Sequence, residues 1–202
     1  MAKNSPKKIC FVCEGEEEFD YINQLKECKV WNSIYNIKVK KAKSIDSISA
    51  IYDYTFKNDN YDLIVIFCDT ELEPYEQFKN LRNKIKQNHE KDITNDVIYF
   101  ANPCTMQVIL SHFDKVHLTN NSKVANSKLI QKYTGVSDYR ANEKQRNSIM
   151  KKITKENYET MKQNLKEIST NYNDVPSTNL LILLNNLESS DTLWVDKITK
   201  KY

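Results

Sequence analysis

The apolar positions of the first 113 residues fall into two alternating patterns. Runs such as Ile9-Cys10-Phe11-Val12-Cys13 and Leu63-Ile64-Val65-Ile66-Phe67-Cys68 contain no polar residue. That is the signature of a strand covered on both faces. Four strands are predicted, at about 7–13, 34–41, 61–68 and 96–101. Between them the apolar residues recur at helical spacing, as in Phe19, Ile22 and Leu25, and predict helices near 17–28, 45–57, 72–90 and 104–114. Ser44 and Asp46 can cap the second of these. Strands alternating with helices imply an α/β fold: a mostly parallel four-stranded sheet flanked by helices. Beyond residue 114 the pattern turns helical. Residues 115–127 read as a polar loop, and helices are predicted near 124–133, 155–172 and 177–188, with Pro176 suited to the first turn of the last. The tail from Trp194 onward carries few apolar anchors. The chain thus divides into an α/β core, 1–120, and a helical C-terminal extension, 121–202, packed on it.

Composition narrows the class. A chain of 202 residues with 40% hydrophobic content can bury one core. No segment approaches the roughly 18 consecutive apolar residues of a membrane span, and no apolar run of signal-peptide length precedes the first strand. The five cysteines are an odd number. Cys10 and Cys13 form a CxxC, but three residues apart on a strand their side chains point to opposite faces, so they cannot readily share a zinc or a disulfide. With Cys68 they read as buried free thiols. These features predict a cytoplasmic protein with no membrane association. The net charge of +3 is unevenly spread: residues 1–120 hold 16 basic and 18 acidic residues, residues 121–202 hold 14 and 9. A basic C-terminal part suits a polyanion such as nucleic acid, and suits a solvated helical surface equally well. Gly15 and Gly135 are the only glycines, which excludes a glycine-rich phosphate loop. Gly15, between a strand end and a helix start, is a position for positive φ or close backbone approach.

Candidate chemistry sits where strands stop. In open α/β sheets, ligands bind outside the carboxyl ends of the strands. The first predicted strand ends in Glu14, with Glu18 one helical turn later; the third ends in Asp69-Thr70-Glu71. If those strands are neighbours, the carboxylates converge. Two carboxylates about 4 Å apart repel by roughly 4 kcal/mol at an effective dielectric near 20, so the cluster requires a cation, a shared proton or a basic partner. All-oxygen donors suit Mg²⁺ or Mn²⁺, and the matching chemistry is phosphoryl transfer or phosphodiester hydrolysis. The competing reading is helix capping, since acids are favoured at helix N-termini and Asp is a good N-cap. Glu16, Glu17 and Glu73 read as solvated. His112, on the apolar "VILSHF", reads as a core histidine, and His89 and His117 show no metal spacing. Most of the twelve tyrosines fit amphipathic packing rather than base stacking.

"VCEGEEE" at 12–18 followed by "IVIFCDTE" at 64–71 resembles the Toprim domain of topoisomerases, primases and OLD-type nucleases. Within that group the chain is most similar to the RloB-like family. The shared elements are the strand-end Glu-Gly, the acid-x-acid, an "NPxFExWxLxHF"-type helix seen here as "NPCTMQVILSHF" at 102–113, and a late "PSTN" at 176–179. The resemblance implies a Toprim-like fold and a Mg²⁺- or Mn²⁺-dependent nuclease of an antiphage defence system. Glu14, Asp69 and Glu71 would be the metal ligands, with Glu18 supporting them. It also implies a nucleic-acid substrate, DNA or RNA with tRNA among the candidates, and an AAA/ABC-type ATPase partner, and it leaves oligomerisation open. Two departures stand out. The second acid of the acid-x-acid is Glu71, and the Phe-Glu of the helix motif is replaced by Thr105 and Met106, with Gln107 beyond. The missing acid supports an alternative: a catalytically weak Toprim-like effector or regulatory subunit that docks on the ATPase.

Overall fold

The structure, a computed structural model, describes residues 6–71 and 73–202. The elements of the first part are β1 (Lys7–Cys13), α1 (Glu16–Glu27), β2 (Tyr35–Lys41), α2 (Ile45–Asn58), β3 (Leu63–Asp69), α3 (Glu76–Gln87), a short α4 (Thr94–Val97), β4 (Ile98–Asn102) and α5 (Met106–Leu110). The second part adds α6 (Lys123–Thr134), α7 (Glu143–Met150), α8 (Lys155–Leu165), β5 (Ser177–Thr178), α9 (Leu180–Glu188) and α10 (Leu193–Thr199). This is an α/β fold consistent with a Toprim-like core.

The sheet order is β2-β1-β3-β4-β5, with the first four strands parallel and β5 antiparallel to β4. β1 and β3 are direct neighbours in the register Ile9↔Leu63 to Cys13↔Phe67, so their carboxyl ends finish side by side. Residues Ile9 to Cys13 and Leu63 to Cys68 are buried throughout, as continuous apolar strands require. β2 is an edge strand and starts with alternation, Tyr35 and Ile37 inward, Asn36 and Lys38 outward.

The sheet has five strands where the sequence predicts four. The fifth, β5, is two residues long, too short to show a period. Pro176 therefore precedes a strand, and the last predicted helix begins only at Leu180. The "PSTN" element is explained by this strand. Thr178 Oγ1 donates to the Phe100 carbonyl at 2.5 Å, and the Asn179 side chain accepts from the Phe100 amide at 2.8 Å and donates to the Ile98 carbonyl at 3.0 Å. A side-chain amide thus continues the ladder along β4. Asn102 of the "NP" motif closes the other end, donating to the carbonyls of Tyr172 at 2.8 Å and Asp174 at 3.0 Å.

Other boundaries shift inward. α3 starts at Glu76 rather than 72, and α8 stops at Leu165 rather than 172. α7 and α10 are not predicted from the sequence. α7 buries only Arg146, Ile149 and Met150. The tail is held by polar anchors as much as by Val195 and Ile198: Trp194 Nε1 donates to the Tyr35 hydroxyl at 2.8 Å, and Asp196 pairs with Lys7 at 2.6 Å. The C-terminal helices share one hydrophobic cluster with the sheet, in which Ile149, Met161, Leu183 and Leu187 join Tyr21, Leu25 and Phe11. Cys10, Cys13 and Cys68 are buried and all five thiols are free. Among the described residues no helix is long and apolar enough to cross a membrane.

Candidate functional site

The parallel register brings the strand-end acids together. The Glu14 amide donates to the Phe67 carbonyl at 3.1 Å, extending the β1–β3 pairing one residue past β1. The Glu14 side chain then crosses to β3, where its Oε2 accepts from the Asp69 amide at 3.0 Å. Glu18, on the first turn of α1, is 4% exposed, and its Oε2 accepts from the Gly15 amide at 2.9 Å. Gly15 is explained by this contact. Its φ of −132° is ordinary extended backbone, so no left-handed conformation is required. An added Cβ would lie 3.2 Å from Glu18 Oε2, so glycine gives the carboxylate room to fold back on the chain.

Asp69 ends β3 half-buried at the cleft. Its Oδ1 accepts from both the Thr105 amide at 2.7 Å and the Thr105 hydroxyl at 2.8 Å. The chain turns sharply after it: Glu71 sits in the left-handed region at φ 62°, a conformation that costs a non-glycine residue about 1 kcal/mol, and its side chain reaches the Glu14 carboxyl. Glu14, Glu18, Asp69 and Glu71 all line one cleft of about 350 Å³. The four residues singled out from the sequence are therefore in one place.

The opposite wall comes from the C-terminal part, with Lys123, Tyr139 and Arg146 among its residues. Glu17, expected in solvent, is bound into that wall: the Tyr139 hydroxyl donates to its Oε1 at 2.7 Å and Lys123 pairs with its Oε2 at 3.0 Å. Arg146 is buried and donates to Asp20 at 2.7 Å and to the Ala141 carbonyl at 2.6 Å, with Glu16 at 3.5 Å. Sequence reasoning missed Thr105, Lys123, Tyr139 and Arg146 as site residues. Only the basic excess after residue 121 hinted at two of them, because Lys123, Tyr139 and Arg146 meet Glu17 and Asp20 across more than a hundred residues of chain and Thr105 meets Asp69 across 36.

Burial and mutual repulsion hold the acids away from their ordinary ionisation. Burial first, then the Glu18 and Glu71 charges, push the Glu14 carboxyl up to about 8. Burial raises Glu18, opposed by neighbouring hydrogen-bond donors, the Gly15 amide among them. Asp69 is raised well above the carboxylate range by burial, then by Glu18 and Glu14. The site lacks positive charge at its centre, since Lys123 and Arg146 are already paired at its edge.

That electrostatic deficit, and a donor set made only of carboxylate oxygens, fit a hard divalent cation. The carboxylates do not form a ready-made cage: among the described residues, no three His, Cys, Asp or Glu side chains are arranged around one point. A cation would have to draw the Glu14 and Glu71 carboxylates closer to Asp69. Met106, where the RloB-like pattern has an acid, is buried on the cleft wall and offers only a thioether. Gln107 does not substitute for it. Its side chain turns away, donating to the Val116 carbonyl at 2.6 Å and accepting from the Leu118 amide at 2.8 Å.

The histidines take no part. His112 is buried between the Tyr21 hydroxyl, 3.0 Å from Nε2, and Asn157, 3.1 Å from Nδ1, and burial lowers it to about 4. His89 packs against Tyr52, Phe56 and Tyr202. Comparison with known proteins found no matching family model, no matching curated protein and no matching solved structure.

Proposed function

We propose that this chain is a cytoplasmic, Toprim-like nuclease of the RloB-like type, dependent on Mg²⁺ or Mn²⁺ and acting on nucleic-acid phosphodiesters in antiphage defence with an AAA/ABC-type ATPase partner. The observation that carries the reading is the convergence of Glu14, Glu18, Asp69 and Glu71 from two adjacent strand ends into one cleft. Glu18 does make a capping contact with the N-cap Gly15 amide, but helix capping does not explain the reach of Glu14 across to β3. Glu14, Asp69 and Glu71 would hold the cation, with Glu18 beside them. When bound, a divalent cation supplies charge neutralisation at the phosphate and lowers the pKa of water. Without a cation the Glu14 carboxyl is held high by burial and by Glu18 and Glu71, and a bound cation would offset that repulsion and favour the carboxylate as its ligand. The Asp69 amide holds Glu14 and the Gly15 amide holds Glu18 at the edge of the cleft. Lys123 and Arg146 put positive charge on the wall that a phosphate backbone would pass.

Calorimetric titration with Mn²⁺, followed by cleavage assays on DNA, RNA and tRNA with and without the ATPase, tests this. Saturable Mn²⁺ binding and metal-dependent cleavage, both lost in Asp69→Asn, are expected. Mn²⁺ binding without cleavage of any substrate would favour a second reading, a catalytically weak subunit docked on the ATPase. Met106 in place of an acid is the observation that favours it.

A further inference from the structure

We infer that Thr105 is a positioning residue that orients the Asp69 carboxylate for a divalent cation, an inference that rests on the metal reading above. Three acids of the cleft have one oxygen pinned. The Asp69 amide pins Glu14 and the Gly15 amide pins Glu18. Such backbone donors would remain whatever side chain stood at those positions. Asp69 is different, because Oδ1 also receives a hydroxyl, from Thr105 at 2.8 Å, beside the Thr105 amide at 2.7 Å.

Two donors from one residue fix both the position and the rotation of the carboxylate. Oδ1 is engaged on the Thr105 side, and Oδ2 is left for the cleft. Thr105 is itself fixed by the sheet: Asp69 lies opposite Ala101 in the β3–β4 register, and the short turn after β4 returns the chain to Asp69. Thr105 is 1% exposed, so water does not compete for its hydroxyl proton. Its β-branched side chain restricts χ1 and keeps the hydroxyl aimed. A carboxylate oriented before the cation arrives loses less freedom on coordination, and partners of this kind typically change metal affinity by about 10–100-fold. The same residue restrains Asp69 in a cleft whose Met106 contributes no charge.

The test is Mn²⁺ affinity by calorimetry for wild type, Thr105→Val, Thr105→Ser and Thr105→Ala, with a thermal melt of each. Valine keeps the shape and the amide donor and removes only the hydroxyl. Serine keeps the hydroxyl. Alanine removes it without any risk of a clash, and serves where valine disturbs the fold. Valine and alanine are expected to bind Mn²⁺ about tenfold or more weakly, with serine close to wild type. Equal affinity in wild type, valine and alanine overturns the inference while leaving the metal reading intact. Equal weakening in serine and valine also overturns it, since packing rather than the hydroxyl would then matter. No Mn²⁺ binding by the wild type overturns the metal reading and this inference with it.

Discussion

Glu14→Gln should make the metal-free protein more stable at alkaline pH. The substitution keeps the shape of the side chain and an oxygen to accept from the Asp69 amide, and removes one negative charge from the cleft. In the folded chain the Glu14 carboxyl is raised from an ordinary 4.5 to about 8, chiefly by burial and then by Glu18 and Glu71. The native state therefore keeps a proton that the unfolded chain has lost between those pH values. Stability is full below about 4.5 and falls as pH rises through about 8, at about 1.4 kcal/mol per pH unit. The upper bound is about 5 kcal/mol. Because neighbouring acids share the charge, about half of that, roughly 2 kcal/mol, is the working figure. For a chain of this size it corresponds to a rise in Tm of about 4–8 °C. Calorimetric melts in EDTA at pH 5 and pH 8.5 read it directly. Glu14→Gln should match wild type at pH 5 and exceed it at pH 8.5, and saturating Mn²⁺ should stabilise wild type more than the variant. A variant that melts at or below wild type at pH 8.5 would refute the claim that the cleft stores carboxylate repulsion.

Three further expectations follow from the same contacts. Asp69→Asn should abolish Mn²⁺ binding and any cleavage while holding or raising the metal-free Tm; Asp69→Ala should do the same for binding but melt lower than Asp69→Asn by about 1 kcal/mol or more, because it strands the Thr105 amide. His112→Gln should flatten the acid limb of stability: His112 sits near 4 when folded against about 6.5 unfolded, so wild type loses up to about 3 kcal/mol as pH falls from 6.5 to 4, measurable by urea titration at several pH values. Met106→Glu should cost about 1–3 kcal/mol without metal, because the site is 4% exposed and already acidic, and should recover stability and gain affinity when Mn²⁺ is added; a variant whose Mn²⁺ affinity is unchanged would show that Met106 lies outside the reach of a cation.

Much of the fold is legible because its strands are long, apolar and regularly spaced. The four parallel strands lie within two residues of their predicted bounds: β1, β3 and β4, covered on both faces, leave continuous apolar runs, and the edge strand β2 leaves an alternation. The misses share a cause. β5 is held by Asn179 and Thr178 side chains bonding to β4, and α10 by Trp194 and Asp196 bonding to Tyr35 and Lys7. Neither leaves a hydrophobic period, because the stabilising groups are polar and their partners lie far away in the chain.

The candidate site divides along the same line. Glu14, Glu18, Asp69 and Glu71 are legible because a parallel sheet collects strand ends at one edge, so local position implies spatial proximity. Their surroundings are not legible. Nothing near Thr105 in sequence shows that its hydroxyl meets an aspartate 36 residues earlier, and nothing near Glu17 announces Tyr139, 122 residues later. These partners change what the acids can do. Glu17, paired with Lys123 and Tyr139, acts as an anchor for the C-terminal wall rather than as a fifth free carboxylate. Arg146, bonded to Asp20, repeats that anchorage one turn further along α1. The helix that presents Glu18 inward thus uses Glu17 and Asp20 to hold the basic region against the cleft. Lys123 and Arg146 from the basic part after residue 121 and the acids before it thus line one cleft, and the pairing that joins them also limits how much of that positive charge is free to meet a phosphate.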